Sequence, residues 1–244
     1  MNKVKFGYKE ISDKDKPEKV NQIFSSVSDK YDLMNDIMSF GLHRLWKKKF
    51  IKLCNLNNKK DVLDIACGTG DIALNIKKYN PKIKLTCLDP NKEMLEICKS
   101  KFINNGFTDI IYLLNGAEDF TSKNNHYDLI TTVFGFRNFS NHKKALCNIF
   151  DKLKPGGSFL LMDFKKPTNK IYSKLFKFYT INVIPKIGEV VANDKQSYDY
   201  LGESIQTYYT PEEIGKMFID AGFENYKIIN FSEDIATIHM AHKS

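Results

Sequence analysis

Arginine is nearly missing from this chain. Of 37 basic residues only Arg44 and Arg137 carry a guanidinium, and all the others are lysine. The formal net charge of +8 therefore comes from lysines scattered among asparagines, which describes a compositional bias and a solvated surface more than a built nucleic-acid face. Where lysine is so favoured, a site that needs a planar, permanently charged fork is one place to find arginine. Cysteine is sparse too: five residues, an odd number, never spaced as Cys-x-x-Cys, so neither a disulfide framework nor a zinc set is suggested and no metal is expected. No run approaches the roughly 18 apolar residues of a membrane-spanning helix. Residues 1–10 have neither the apolar core of a secretory signal nor the Arg/Ser-rich, acid-poor character of a transit peptide. The expectation is a soluble, cytoplasmic protein that at most lies on the inner face of a membrane.

What is present is organised around Val62-Leu-Asp-Ile-Ala-Cys-Gly-Thr-Gly-Asp71. Its apolar half reads as a buried strand and its glycine half as a tight turn into a helix. Before it, apolar residues recur at helical spacing from about Val20 to Leu53, with a break at Gly41. After it, strands and helices alternate. Strands are expected at Asp61–Ala66, Lys84–Leu88, Ile110–Leu114, Tyr127–Phe134 and Ser158–Asp163, the last following a Lys154-Pro-Gly-Gly157 turn. Helices are expected at Asp71–Tyr79, from an Asn91 cap to about Phe102, and at Asn141–Leu153. From Lys165 to Tyr209 the alternation stops, and an amphipathic helix is expected around Ile171–Ile184. A capping box, Thr210-Pro-Glu-Glu213, then opens a helix ending at Gly222, and two short strands, Tyr226–Phe231 and Ile235–Ala241, close the chain as an antiparallel pair. The fold class is α/β, a doubly wound, mostly parallel seven-stranded sheet with N-terminal helices and a helical insertion after strand five. We expect one domain made of an N-terminal layer (1–55), a cofactor-binding core (56–164), a lid (165–209) and a terminal helix with hairpin (210–244).

Gly68-Thr-Gly70-Asp-Ile-Ala73 satisfies G-x-G-x-x-G/A, which raises a nicotinamide or flavin dinucleotide first. Asp71, however, sits in the first helical turn, where a pyrophosphate would dock and a carboxylate would repel it. With no basic residue in the loop, a phosphate-free nucleoside bearing a cation suits the site better, and S-adenosyl-L-methionine is such a ligand. Asp64 at the end of strand one attracts the methionyl ammonium, Gly68 and Gly70 let backbone approach the ligand, and Asp89 after strand two accepts both ribose hydroxyls.

Longer motifs carry a resemblance. Phe6-Gly-Tyr, Lys30-Tyr-Asp-Leu-Met-Asn-Asp-Ile-Met-Ser39, Gly41-Leu-His-Arg-Leu-Trp-Lys47, Gly135-Phe-Arg-Asn138, Leu161-Met-Asp-Phe-Lys-Lys-Pro167 and Ser197-Tyr-Asp-Tyr-Leu-Gly-Glu-Ser-Ile205 run nearly the whole length. On these the chain resembles the ubiquinone/menaquinone C-methyltransferase family of class I methyltransferases. The resemblance implies methyl transfer from S-adenosyl-L-methionine to a ring carbon of a polyprenylated quinol, either 2-polyprenyl-6-methoxy-1,4-benzoquinol or demethylmenaquinol. It places cofactor contacts on Thr69, Asp89, Gly116, Ala117 and Val133. This chain departs from the family at Gly116, where Asn or Asp is usual, at Val133, where serine is frequent, and at Glu233-Asp234, where a small-residue turn is usual.

Arg137 is the first choice at the substrate, where a guanidinium stabilises a developing phenolate. Asn138 would orient substrate or water, and His43 and Tyr31 are candidate bases, with Asp163 and Tyr198 of second rank. The insertion is expected to form an apolar channel for the polyprenyl tail and to touch lipid through its lysines, with other quinone-biosynthesis enzymes as further partners. The oligomeric state is open, a homodimer included. Nucleic acid is not expected as a partner: the Asn/Asp-Pro-Pro-aromatic segment of amino-methylating enzymes is absent after strand four, and no cysteine follows proline. A non-catalytic scaffold of a quinone-synthesis complex is the remaining alternative.

Overall fold

Short apolar runs separated by capped amphipathic stretches build a seven-stranded sheet in the computed structural model, which describes residues 3–231 and 235–244. The Glu233-Asp234 departure lies outside the described residues. Ahead of the sheet stand a hairpin, β1 (Lys3–Phe6) and β2 (Lys9–Ser12), and three helices, α1 (Lys16–Val27), α2 (Tyr31–Ser39) and α3 (Leu42–Leu53). The sheet comprises β3 (Asp61–Ile65), β4 (Lys84–Asp89), β5 (Ile111–Leu114), β6 (Tyr127–Val133), β7 (Leu153–Phe164), β8 (Glu224–Phe231) and β9 (Ala236–His242), in the order β5-β4-β3-β6-β7-β9-β8. Strands β3 to β7 are mutually parallel; β9 runs antiparallel to both β7 and β8. Helices α4 (Asp71–Tyr79), α5 (Lys92–Asn104) and α6 (His142–Lys152) alternate with the parallel strands. Helices α7 (Lys170–Phe178), α8 (Ile184–Ile187) and α9 (Lys195–Thr207) form the insertion, and α10 (Pro211–Asp220) leads into β8.

The local reasons are those the letters offer. Asn91 caps α5 by accepting the Met94 N–H, and the capping box opens α10 with both of its reciprocal bonds present. The central strands are buried on both faces: Trp46, Phe50, Ile72 and Phe102 pack on one side, Leu63, Ile65, Phe159 and Phe218 on the other. A third cluster of Val27, Met34, Met94, Ile184 and Tyr198 joins α1, α2, α5, α8 and α9 into a roof. Strand order reverses between β3 and β6, so the loops after these two strands diverge and leave a crevice under that roof.

Four elements differ from the sequence reading. The β1–β2 hairpin was not expected; its strands are too short to show a period. It turns on Gly7 (φ +59°) and Tyr8, Phe6 stacks on Tyr200 at 4.5 Å, and the Tyr8 N–H donates to Glu203 on α9. The N-terminal helical layer starts at Lys16 and divides at Ser28–Lys30 as well as at Phe40-Gly41. Strand β7 begins at Leu153, not Ser158, and the Pro155-Gly-Gly157 segment is accommodated as an irregularity opposite Tyr127 and Leu129. In the insertion the helical path continues past Ile184 to Ala192 through two π-helical turns, Tyr179–Val183 and Gly188–Ala192. Pro185 lacks an N–H and crowds the preceding turn, and the wider π turn relieves both.

Candidate active site

Two cavities occupy the crevice. The larger, about 390 Å³, lies between α2, α3, the glycine turn, Arg137 and the insertion; the smaller, about 110 Å³, is bordered by Asp89, Asn91, Gly116, Ala117, Glu118 and Asn138. Phe24, Tyr31, Ala66, Gly68, Val133 and Phe134 line both, so the two spaces meet over the end of β3.

The glycine turn divides its labour. At Gly68 (φ +55°) a Cβ would meet nothing within 4 Å, and the residue faces the junction of the cavities. Gly70 (φ +82°) is different: a Cβ there would lie 2.5 Å from Cys98 Sγ, and Gly70 lines neither cavity. The expectation that Gly70 opens space for a ligand is therefore corrected; its missing side chain lets the turn pack on α5. Thr69 is buried, and its hydroxyl donates to Asp32 Oδ1 at 2.8 Å.

Asp64 and Asp89 are both buried acids at the crevice. The Thr131 hydroxyl donates to Asp64 Oδ1 at 2.6 Å, and burial pushes the Asp64 carboxyl up to about 7. Asp89 accepts the Gly68 N–H at 2.8 Å and the Asn91 N–H at 2.9 Å, and burial raises it to about 6. Asp71 is not the bare acid that the sequence suggests. Lys47 from α3 and Lys101 from α5 reach it at 2.8 and 2.6 Å, and Lys101 also meets Asp32 at 2.7 Å and Thr69 Oγ1 at 3.2 Å. Against the upward effect of burial these lysines hold the Asp71 carboxyl down to about 2. Two lysines and two aspartates leave the turn neutral, so the preference for a cationic ligand comes from Asp64 and Asp89, which have no ion-pair partner among the described residues. Sequence reasoning missed both lysines because they lie 24 and 30 residues from Asp71.

At the other end, Glu118 supplies what Gly116 lacks. Its Oε2 lies 3.2 Å from where a Gly116 Cβ would be, while its Oε1 accepts the Ser140 and Asn141 N–H groups at 2.7 and 3.1 Å. A carboxylate thus stands in the corner where the resemblance leads one to expect Asn or Asp, beside Ala117. Val133 lines both cavities with an apolar surface where a serine would offer a hydroxyl.

Arg137, Tyr31 and His43 share the larger cavity; Asn138 lines the smaller one and accepts from the Tyr200 hydroxyl at 3.0 Å. Arg137 Nη1 donates to Asp163 Oδ1 at 3.0 Å and to the Phe134 carbonyl, while the buried Nε has no hydrogen-bond partner among the described residues. Tyr31 sits where the cavities join, and burial raises its phenol, with Arg137 opposing. His43 Nδ1 lies 2.7 Å from Ser39 Oγ, whose own proton goes to the Asn35 carbonyl at 2.6 Å. The network therefore assigns the His43 proton to Nδ1 and leaves a lone pair on Nε2, 3.6 Å from Asp36. Burial, then Lys47, lowers the His43 pKa, so the ring is neutral at pH 7. The Tyr198 hydroxyl is buried in the same cavity wall without a hydrogen-bond partner among the described residues. Spacing suggested no metal set, yet the fold brings Cys67, Cys87 and Cys98 together, their sulfurs all within 4.8 Å of one another.

Over residues 12–243 the sequence matches the model of the ubiE/COQ5 methyltransferase family. The chain belongs to that family. A relative from Rickettsia bellii named ubiquinone/menaquinone biosynthesis C-methyltransferase is 43% identical over 100% of both chains. One of the same name from Hydrogenovibrio crunogenus is 38% identical over 98% of this chain and 95% of its own. Among solved structures, a SAM-dependent methyltransferase from Thermotoga maritima shares the fold at a TM-score of 0.64 and 18% identity, over 91% of this chain and 99% of its own. Another from Aquifex aeolicus does so at 0.60 and 18%, over 81% and 89%. The ubiE/COQ5 assignment makes the chain a methyltransferase. Its crevice fits S-adenosylmethionine: Gly68 leaves space at the junction, Asp64 and Asp89 lack ion-pair partners among the described residues, and the larger space beyond admits a second molecule.

Proposed function

We propose that this methyltransferase transfers the methyl group of S-adenosylmethionine to a ring carbon of a polyprenylated quinol, a benzoquinol or a naphthoquinol. The observation that carries this reading is the apolar 390 Å³ cavity, which starts at the cofactor's methionyl end beside Asp64 and continues to a mouth lined by Phe40, Leu42, Tyr172 and Leu175. A ring head group bearing an isoprenoid tail needs such a space; an aqueous metabolite does not.

When bound, S-adenosylmethionine supplies an electrophilic methyl group on a sulfonium. Asp64 would hold the methionyl ammonium, Asp89 the ribose, and Ala117 with Glu118 the adenine. The ring carbon gains nucleophilicity as its neighbouring phenol gives up a proton. Arg137 stabilises the oxygen that becomes anionic; its guanidinium carries donors only, so the proton must go elsewhere. His43 Nε2 accepts the proton, and Asp36 faces the imidazolium that results. Methyl transfer would leave the ring carbon with one hydrogen to lose; that proton would pass to solvent, and His43 would return its proton to the phenolate oxygen, restoring the aromatic quinol and the neutral imidazole.

The membrane supplies this substrate. Along α7, Ile171, Tyr172, Leu175 and Phe178 are exposed, Ile171 by 71%, and across the mouth Phe40 is 82% exposed while its ring sits 6.3 Å from that of Tyr179. Lys170, Lys174 and Lys177 flank this strip, as suits an anionic lipid surface. No described helix is long and apolar enough to cross a membrane. The test is an assay of purified protein with S-adenosylmethionine and each demethylated quinol in vesicles, joined to mass spectrometry of quinones in cells lacking the gene. Accumulation of a demethylated quinone and its conversion in vitro are expected. An unchanged quinone pool together with no turnover would overturn the reading, and absence of S-adenosylmethionine binding in calorimetry would leave only a scaffold.

A further inference from the structure

We infer that Cys67, Cys87 and Cys98 form a trithiolate binding site for a thiophilic divalent d10 metal ion beneath the glycine turn. The three come from separate elements: Cys67 from the loop after β3, Cys87 from β4 opposite Asp64, and Cys98 from α5. Their sulfurs lie within 4.8 Å of one another, Cys87 and Cys98 are fully buried, and Cys67 is partly exposed in the wall of the larger cavity. Sulfurs about 2.3 Å from a tetrahedral ion sit about 3.8 Å apart, so the side chains need close by no more than about 1 Å.

The donor set chooses the ion. Three thiols without a histidine or carboxylate in the cluster select a soft or borderline metal over calcium or magnesium. A divalent ion on three thiolates leaves one net negative charge, a monovalent ion two, and the smaller charge costs less to bury. Binding exchanges three S–H bonds for three metal–sulfur bonds and releases three protons to solvent, so no oxidant is involved. The cavity side of Cys67 gives the entry path and room for a water as fourth ligand.

The site is coupled to the cofactor, an extension that rests on the cofactor being held at this turn. Gly70 packs directly on Cys98 Sγ. Drawing Cys67 and Cys98 toward one ion shifts the turn between them, and cofactor affinity falls by about tenfold.

The test titrates the protein, kept reduced by a non-thiol reductant, with Cd2+ alone. Expected are one ion per chain, a thiolate-to-metal charge-transfer absorption and release of up to three protons. C54S/C147S keeps this behaviour; C87S and C98S each bind at least about tenfold more weakly. If a serine variant fails to fold, the 113Cd resonance of the unmodified chain decides, since three sulfur ligands shift it far from an oxygen-bound ion. No charge-transfer band, or an oxygen-type resonance, overturns the site. Calorimetry with S-adenosylmethionine tests the coupling: weaker binding with Cd2+ in the unmodified chain supports it, and equal binding overturns it. Absence of cofactor binding in the metal-free chain overturns the cofactor reading while leaving the Cd2+ result standing.

Discussion

Arg137 and Asp163 form a buried ion pair at the floor of the larger cavity, with Nη1 3.0 Å from Oδ1 and the Arg137 backbone N–H 3.2 Å from Oδ2. One carboxylate thus fixes both the guanidinium and the loop that carries it. Burial raises the Asp163 pKa, and the Arg137 guanidinium opposes that rise. Arg137→Ala leaves a buried carboxylate alone and should cost about 3–5 kcal/mol. Arg137→Lys keeps the charge but loses the planar fork, and kcat should fall by about 10²-fold with a smaller loss of stability. Asp163→Asn paired with Arg137→Gln should recover most of the stability and none of the activity. Thermal melts beside turnover numbers separate the two effects, and an active double variant would remove Arg137 from the chemistry.

His43 is placed to take a proton because its lone pair is on Nε2 and an acid stands 3.6 Å away. His43→Asn should lower kcat by about 10²-fold with little change in cofactor affinity. Its pKa lies below the usual histidine value, so the rate should hold across neutral pH and decline only on the acid side as the ring charges. A variant with unchanged kcat and the same acid limb would assign that limb to another group.

Asp64 links pH, stability and cofactor binding. Its folded pKa of about 7 stands above the unfolded value, so its contribution to stability is complete below about pH 4 and is lost as pH rises through 7. The cofactor-free protein should therefore melt at lower temperature at pH 8 than at pH 5. Asp64→Asn keeps an acceptor for the Thr131 hydroxyl and should gain on the order of 2–4 kcal/mol at pH 8 and nothing near pH 4. The same variant should bind S-adenosylmethionine at least about tenfold more weakly. Calorimetric melts at the two pH values decide, and equal gains at both would refute the assignment.

The sheet was legible because its strands are apolar runs of distinct length and its helices carry capping signals, as at Asn91 and Thr210, that act within four residues. Asp64, Asp89 and Arg137 were legible as residues that line the crevice because they end or follow strands of that sheet. Three features were not. The β1–β2 hairpin has four residues per strand and finds its partner, α9, almost two hundred residues later. The lysines that neutralise Asp71 come from helices distant in sequence, and nothing local to the turn announces them. Gly68 and Gly70 are the same letter, yet one faces a cavity and the other a sulfur, a distinction made only by packing.

Lys101 ties the roof to the glycine turn through Asp32 of α2, Asp71 and Thr69. Lys101→Met should uncover like-charge repulsion between Asp32 and Asp71, cost about 1–2 kcal/mol and raise KM for the cofactor several-fold, an increase that added salt reduces. Asp32→Asn in the same background should restore part of the affinity. A salt-independent KM in the single variant would show that the lysine acts by packing alone.

Helix α7 presents Ile171, Tyr172, Leu175 and Phe178 to the outside, with Leu175 and Tyr172 also lining the cavity mouth. Such a face at the entrance of an apolar cavity reads as the place where a tail passes from lipid to protein. Ile171→Asp with Phe178→Asp alters exposed residues outside the cavity lining and should leave the melting temperature nearly unchanged, within about 0.5 kcal/mol. Flotation with vesicles rich in anionic lipid should then lose most of the bound protein. Turnover of a long-tailed quinol presented in those vesicles should fall about tenfold, while turnover of a water-soluble analogue with a one-unit tail should persist. Equal loss on both substrates would place the damage in the site itself, and flotation that survives the two aspartates would move the membrane contact to another face.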